Sequence, residues 1–155
     1  MRIKKLETDI KVCSYEELTA EDRELVDAAK EMTRTSYAPY SHFHVGAAIR
    51  MDDGSIIRGS NQENAAYPSG TCAERTAAYQ ASALKPGMAM RKIAVAAASG
   101  GAFQRSPISP CGACRQALAE YEHLYGPMEV ILYGDEDIYI LPSISSLLPL
   151  TFTEF

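Results

Sequence analysis

Three cysteines in two separated groups, with a glutamate beside the first, restrict the fold of this 155-residue chain more than any other feature. The first group is Cys72-Ala73-Glu74, and the second is Cys111-Gly112-Ala113-Cys114, roughly forty residues later. Three thiolates fill three of the four tetrahedral positions of Zn²⁺ and leave the last for water, which is typical of a catalytic rather than a structural zinc site. One shared ion requires a fold that brings both groups together.

Both cysteine groups are predicted to lie at helix starts. Ser109 is a favourable N-cap and Pro110 is favoured at the first helical position, which places Cys111 at the second. Cys114 then lies on the same face as Cys111, because residues three apart are neighbours on a helix surface. Cys72 begins another predicted helix. Two helix N-termini, each with about half a positive charge, would offset the net charge of −1 that three thiolates leave on Zn²⁺.

The residues next to the cysteines suggest a hydrolytic reaction. Glu74 is predicted to move the protons of a water that the metal activates. Arg75 and Arg115 are predicted to donate hydrogen bonds to the sulfurs. As an alternative, Thr71-x-x-Glu74 matches a capping box, in which the glutamate only stabilises the helix start.

A structural role for the cysteines is also open at this stage. Cys111-x-x-Cys114 alone would fit a redox pair or half of a zinc ribbon equally well. A fourth ligand would close the site, and Cys13, which has no other assigned role, could supply it. The histidines that could do so are His42, His44 and His123.

Composition indicates a soluble globular protein, with 46% apolar and 23% charged residues. We assign residues 19–155 to a single domain and residues 1–18 to an N-terminal extension of unknown role. The net charge of −5 argues against a nucleic-acid polymer as partner, since phosphate binding calls for clustered Lys and Arg. The charged N-terminus does not resemble a signal peptide, and the longest apolar run is too short for a membrane span. We therefore expect a cytoplasmic protein with no membrane partner.

Hydrophobic periodicity and turn residues predict strands that alternate with helices. Thr19 begins a helix with an acidic first turn, which should stop before Pro39. Asp52-Asp53-Gly54 predicts a hairpin turn. The predicted strands cover residues 9–13, 43–51, 55–62, 91–98, 128–133 and 138–141, and the further helices cover 72–85, 111–125 and 143–148. This order indicates an α/β layer architecture.

Three segments in order, residues 37–48, 61–75 and 110–116, resemble the small homotetrameric cytidine deaminases of nucleoside salvage. The resemblance runs from about residue 25 to residue 152. It implies a three-layer α/β/α fold with a mixed five-stranded sheet. It also implies hydrolysis of cytidine and 2′-deoxycytidine to the uridines and ammonia, with one Zn²⁺ per chain and Glu74 protonating N3 and the departing amine.

The resemblance implies further site residues. Asn61 and Glu63 would hold the ribose 3′-hydroxyl, with Gln62 in the same binding segment, although a solvated strand edge is the alternative. Phe43 would pack near the nucleoside, with an ordinary core phenylalanine as the alternative. The remaining implied residues are Ala65 and Ala73, whose backbones would bind the base, and Tyr67 and Phe152, which a neighbouring subunit would supply.

Two other functions are compatible with parts of the pattern. A related deaminase of blasticidin-resistance type would act on another aminopyrimidine, but it would have no use for the sugar-binding residues Asn61 and Glu63. A zinc-stabilised binding module without catalysis would use the cysteines and leave Glu74 as a cap. Turnover of a nucleoside would separate both from a cytidine deaminase.

Overall fold

The computed structural model describes residues 1–153, and within them it contains seven β-strands and three α-helices. The end of the predicted domain, residues 154–155, lies outside the described residues. The strands are β1 (Lys11–Cys13), β2 (Phe43–Met51), β3 (Ile56–Ser60), β4 (Met90–Ser99), β5 (Ala102–Phe103), β6 (Glu129–Tyr133) and β7 (Ile138–Leu141). The helices are α1 (Ala20–Met32), α2 (Ala73–Leu84) and α3 (Gly112–Tyr125).

The strands form one mixed sheet in the order β1-β7-β6-β4-β2-β3, with β5 also paired to β4. Strands β4 and β6 are parallel, and α3 lies between them in the chain. The other pairs are antiparallel. The α/β class is therefore confirmed, and the bounds predicted for β2 and β7 match the structure.

The sheet has more strands than the five that the family resemblance implied. The chain folds back after β4 through Gly100 and Gly101, whose φ angles of 61° and 83° suit a two-residue hairpin turn, and this forms β5. At one edge of the sheet, β1 pairs with β7. The N-terminal extension thus contributes a strand to the sheet.

Helices cover both faces of the sheet because its strands alternate apolar side chains between the two. Ala47 and Ile49 of β2 pack in one cluster with Ala77 of α2. Ala48, between them, packs on the opposite face in a second cluster with Leu25 of α1. Leu118 of α3 belongs to the first cluster. The result is the predicted three-layer arrangement, with α2 and α3 on one side and α1 on the other.

Strand direction brings the starts of α2 and α3 to one edge of the sheet. Both β3 and β4 are antiparallel to β2, so they run in the same direction. α2 follows β3 in the chain, and α3 follows β4 and the short hairpin strand. The two cysteine groups at these helix starts therefore meet, although they are far apart in sequence.

Close packing of β3 on α2 fixes the position of that helix. A Cβ atom added at Gly59 would lie 2.5 Å from the backbone nitrogen of Ala77 and 2.8 Å from the carbonyl oxygen of Ala73. Because both are backbone atoms, only glycine permits this approach. Within residues 1–153, no helix is long and apolar enough to span a membrane.

Candidate functional site

Three sulfur atoms meet where α2 and α3 begin. Cys72 Sγ lies 3.9 Å from Cys111 Sγ, which is 3.5 Å from Cys114 Sγ, and all three lie within 4.8 Å of one another. Tetrahedral Zn²⁺ with Zn–S bonds of about 2.3 Å would separate its sulfurs by roughly 3.8 Å, so the cluster fits this ion. In the described part of the chain, no histidine or fourth cysteine joins the group. The alternative of a closed four-ligand site is therefore not supported.

A cysteine begins each of the two helices. Cys72 is the N-cap of α2, Cys111 is the N-cap of α3, and Cys114 lies in the first turn of α3. The prediction that Ser109 caps α3 is wrong, because the Ser109 hydroxyl instead accepts a hydrogen bond from Arg115 at 3.0 Å. The positive ends of two helix dipoles still meet at the sulfurs, as predicted.

Hydrogen bonding within the cluster shifts the pKa values of Cys72 and Cys114 in opposite directions. The hydrogen bond from Cys114 lowers the pKa of Cys72 to about 5, and Arg75 adds to this effect against the opposing effect of burial. The same bond to Cys72, together with burial, raises the pKa of Cys114. Cys72 is thus the more acidic of these two thiols, and bound Zn²⁺ would favour the ionised form of all three.

The two arginines beside the site have different partners. Arg75 Nη2 donates to Cys72 Sγ at 3.8 Å, as predicted for a residue that supports a ligand. Arg115 does not contact sulfur: its guanidinium donates to the carbonyl oxygens of Pro110 at 2.7 Å and Leu147 at 2.8 Å, and to the Ser109 hydroxyl. Arg115 therefore fixes the loop before α3 and connects it to the C-terminal segment.

Glu74 lies in the first turn of α2 and is 4% exposed. Burial raises the pKa of its carboxyl and the Cys72 charge adds to this, while hydrogen bonds from its own backbone N–H and from Cys114 oppose it. The capping-box alternative is wrong, because the helix is capped at Cys72 and the Thr71 N–H donates to Gln62 O at 2.9 Å. Glu74 thus places a buried carboxyl against the sulfur cluster.

A cavity of about 520 Å³ opens beside the sulfur cluster at Cys72. It is bordered by the segment before β2, the segment after β3 and the start of α2. Of the predicted site residues, those that line it are Asn61, Gln62, Glu63, Tyr67, Cys72 and Arg75. Its volume is sufficient for a small organic molecule.

Asn61 is held by hydrogen bonds to both neighbours of His44 on β2. Its Oδ1 accepts from Val45 N–H at 2.8 Å, and its Nδ2 donates to the Phe43 carbonyl at 2.9 Å. These partners fix the orientation of the amide. Since an amide NH₂ group has two hydrogens, one of them is not used by the Phe43 bond.

Glu63 and Asn61 point toward the same segment, as alternating residues of an extended chain do. The Glu63 carboxylate accepts hydrogen bonds from the Tyr40 N–H at 2.9 Å, from the Ser41 N–H at 3.3 Å and from the Ser41 hydroxyl. The side chain of Gln62, between them, bonds to Ser60 at 3.1 Å. Tyr40 and Ser41 lie in one of the segments that carry the family resemblance, but their contact with Glu63 was not predicted, because more than twenty residues separate the partners.

The other predicted residues lie around this centre. Phe43 begins β2 two residues before Val45, so both side chains lie on the face of the sheet that α2 covers. Ala73 is buried at the first position of α2, and Ala65 lies in the exposed loop before it. Tyr67 is 82% exposed and Phe152 is 68% exposed. The backbone of Phe152 exchanges hydrogen bonds with the Gln116 side chain at 2.7 and 3.2 Å.

Comparison with known families and proteins agrees with this geometry. The family model of the cytidine and deoxycytidylate deaminase zinc-binding region matches residues 19–125, which include the three cysteines and Glu74. A cytidine deaminase of Sporosarcina psychrophila is 39% identical over 131 residues, or 84% of this chain and 90% of the relative. A blasticidin-S deaminase of Bacillus cereus is 30% identical over 138 residues, or 88% and 95% of the two chains.

Solved structures show the same fold. The crystal structure of a cytidine deaminase from Burkholderia pseudomallei superposes with a TM-score of 0.72 at 41% sequence identity. The match covers 87% of this chain and 100% of that chain. The match, which extends over the full length of that relative, therefore includes the helices and sheet that bring the cysteines together.

Proposed function

Because this chain belongs to the cytidine and deoxycytidylate deaminase family, we propose that it hydrolyses cytidine and 2′-deoxycytidine to uridine and 2′-deoxyuridine. It is a zinc-dependent enzyme that acts on a C–N bond. Water supplies the new oxygen at C4 of the base, and the amino group leaves as ammonia. The observation that carries this conclusion is the buried Glu74 beside a three-cysteine cluster at the edge of a cavity.

Glu74 is the group we assign to proton transfer. Zn²⁺ held by Cys72, Cys111 and Cys114 would supply Lewis acidity and lower the pKa of the attacking water. The Glu74 carboxylate would take the first proton of that water and pass it to N3 of the base. It would then take the second proton from the hydroxyl left on C4 and deliver it to the departing amine, as the C4–N bond breaks and the C4 carbonyl forms. Burial raises the pKa of this carboxyl, which makes it a stronger base toward that water.

Asn61 and Glu63 together suit recognition of a sugar hydroxyl. The remaining Nδ2 hydrogen of Asn61 would donate to the hydroxyl oxygen, and the Glu63 carboxylate would accept the hydroxyl hydrogen. A hydroxyl needs both a donor and an acceptor to satisfy it fully, and these two side chains offer one of each. We assign them to the 3′-hydroxyl, with Gln62 in the same segment of the cavity wall.

The base would bind on the α2 side of β2. Ala73 is at the first helical position, where a backbone N–H has no partner within its helix and can serve a ligand. The Ala65 backbone lies on the loop that leads to this helix, and we assign it to the base as well. Phe43 faces the same side of the sheet, where its ring would pack near the nucleoside.

We further propose that four copies of the chain assemble and that neighbouring subunits complete each cavity. The strongly exposed Tyr67 and Phe152 support this assignment, because large aromatic side chains in such positions are typical of interfaces. A monomer mass by sedimentation equilibrium would contradict it. The four cysteines are unpaired, which suits a cytoplasmic enzyme of pyrimidine salvage, with residues 19–155 as its domain and β1 as an edge strand added to it.

Loss of ultraviolet absorbance on addition of cytidine tests the proposed reaction directly. We expect turnover by the wild-type protein with about one zinc per chain. Glu74→Gln should retain the zinc and lose at least a hundredfold in kcat, because the amide cannot move protons. Activity near the wild-type level in Glu74→Gln would overturn the role of this carboxyl.

A second candidate activity is deamination of blasticidin S, since one relative of that name covers most of this chain. The same assay with blasticidin S distinguishes the two. We expect a kcat/KM at least tenfold higher for cytidine, because Asn61 and Glu63 form a paired donor and acceptor on the cavity wall. The reverse preference would favour the second candidate.

A further inference from the structure

The loop before β2 supplies several donors to one carboxylate. The backbone N–H groups of Tyr40 and Ser41 donate to Glu63 Oε2 at 2.9 and 3.3 Å, and the Ser41 hydroxyl donates to Oε1. The Glu63 N–H in turn donates to the Tyr37 carbonyl at 2.8 Å. This loop therefore restrains Glu63 at its backbone and at both carboxylate oxygens.

The Ser41 hydroxyl has a fixed direction in this arrangement. It accepts a hydrogen bond from the Phe43 N–H at 3.1 Å. Its single proton goes to Glu63, because an ionised carboxylate can only accept. Ser41 thus connects the first residue of β2, on the side assigned to the base, with the carboxylate assigned to the sugar.

The hydrogen bonds from this loop leave one acceptor position of the Glu63 carboxylate for a ligand. A carboxylate offers about four acceptor positions, of which the described residues of this loop occupy three. Ser41, Glu63 and Tyr40 all line the cavity. Building on the proposed function, we propose that Ser41 is a positioning residue, which holds Glu63 so that its remaining acceptor position receives the 3′-hydroxyl of the nucleoside.

The electrostatics of the loop supports this role. The hydrogen bond from Ser41, followed by that from Tyr40, lowers the pKa of Glu63. An ionised Glu63 accepts and never donates, so only a ligand group with its own hydrogen can use the remaining position. Discrimination for a 3′-hydroxyl should then depend on a serine that does not itself bind the sugar.

A matched pair of substrates tests the proposal, since 2′-deoxycytidine and 2′,3′-dideoxycytidine differ only in the 3′-hydroxyl. We expect Ser41→Ala to lower kcat/KM for 2′-deoxycytidine about tenfold, mainly through KM. The reason is that Glu63 loses a restraint, so the hydrogen bond from the 3′-hydroxyl to its charged carboxylate is weakened. The value for 2′,3′-dideoxycytidine should change by less than about twofold. Ser41→Thr keeps the hydroxyl and should restore most of the discrimination.

The Glu63→Ala background separates positioning from a general effect on the loop. If Ser41 acts through Glu63, then adding Ser41→Ala to Glu63→Ala should cause no further loss. If Ser41→Ala leaves the ratio of the two kcat/KM values unchanged, whether both fall equally or neither falls, the proposal is overturned. Failure of the proposed function would be distinct, because the wild-type protein would then turn over neither nucleoside.

Discussion

At the residue scale, Asn61 serves the fold and the proposed sugar site at once. Its amide completes the backbone hydrogen bonding of β2 at Phe43 and Val45. Its second Nδ2 hydrogen is the one assigned to the sugar hydroxyl. Glu63 differs, because its partners belong to a partly solvated loop whose N–H groups water can also satisfy. The two residues should therefore respond differently to truncation.

We expect Asn61→Ala to lower both stability and nucleoside affinity. Loss of two hydrogen bonds should cost about 2 kcal/mol, or roughly 4–8 °C in Tm for a chain of this size. Glu63→Ala serves as the control: its KM for cytidine should rise about tenfold with a Tm change of less than about 2 °C. Thermal unfolding and steady-state kinetics measure both, and equal Tm losses would contradict this division.

Single residues were predictable from sequence where their chemistry depends on local spacing. The pair Cys111 and Cys114, and the position of Glu74 beside Cys72, follow from spacing within one or two helical turns. That the two groups share one ion was predicted from the three ligands that a catalytic zinc site requires. Arg115 could not, because its long side chain reaches Leu147, which is 32 residues away. Ser41 has the same difficulty, since its bond to Glu63 depends on the packing of two loops.

At the scale of elements, the predictions were best where hydrophobic alternation and turn residues agree. β2 and β7 have the predicted bounds for this reason. The prediction missed β5 because two residues are too few for a periodic signal, although Gly100-Gly101 is a hairpin turn sequence. It shifted the start of α3 because Ser109 and Pro110 satisfy capping preferences, whereas in the structure Cys111 keeps an extended backbone and is the N-cap.

An ion-pair cluster connects α1 to the sheet. Lys92 Nζ on β4 lies 2.7 Å from Asp22 of α1 and 2.9 Å from Glu129 of β6. Burial opposes ionisation of Asp22, but hydrogen bonds from Lys92 and Thr19 outweigh it, so the pKa of this carboxyl is lowered. The folded state therefore favours the ionised form.

This lowered pKa predicts a pH-dependent contribution to stability. Because the unfolded chain binds the Asp22 proton more readily, the contribution is complete above the ordinary pKa of 3.8 and is lost as pH falls toward the folded value. We expect wild type to exceed Asp22→Asn in urea midpoint at pH 5 and 6, with the difference shrinking at pH 3. Loss of zinc at low pH affects both proteins, so the difference isolates Asp22. A difference that stays constant with pH would contradict this.

At the scale of the whole molecule, the sulfur cluster joins two helices that follow different strands of the sheet. α2 packs closely against β3 through Gly59, and α3 follows β4. A metal held by Cys72 on one helix start and by Cys111 and Cys114 on the other therefore cross-links segments that are distant in sequence. Since the unfolded chain does not preform this site, metal binding should contribute to folding free energy.

We expect removal of zinc to lower Tm by about 8–16 °C, which corresponds to about 4 kcal/mol for a ligand at a thousand times its Kd. Cys72→Ser should show the low Tm without any chelator and bind less than one zinc per chain. Cys13→Ser is the matched control, because Cys13 lies on β1 at the sheet edge, outside the cluster, and should keep its metal and its response to chelation. Differential scanning calorimetry with metal analysis measures both properties. A chelator-insensitive Tm in the zinc-loaded wild-type protein would show that the fold holds the two helix starts together without the ion.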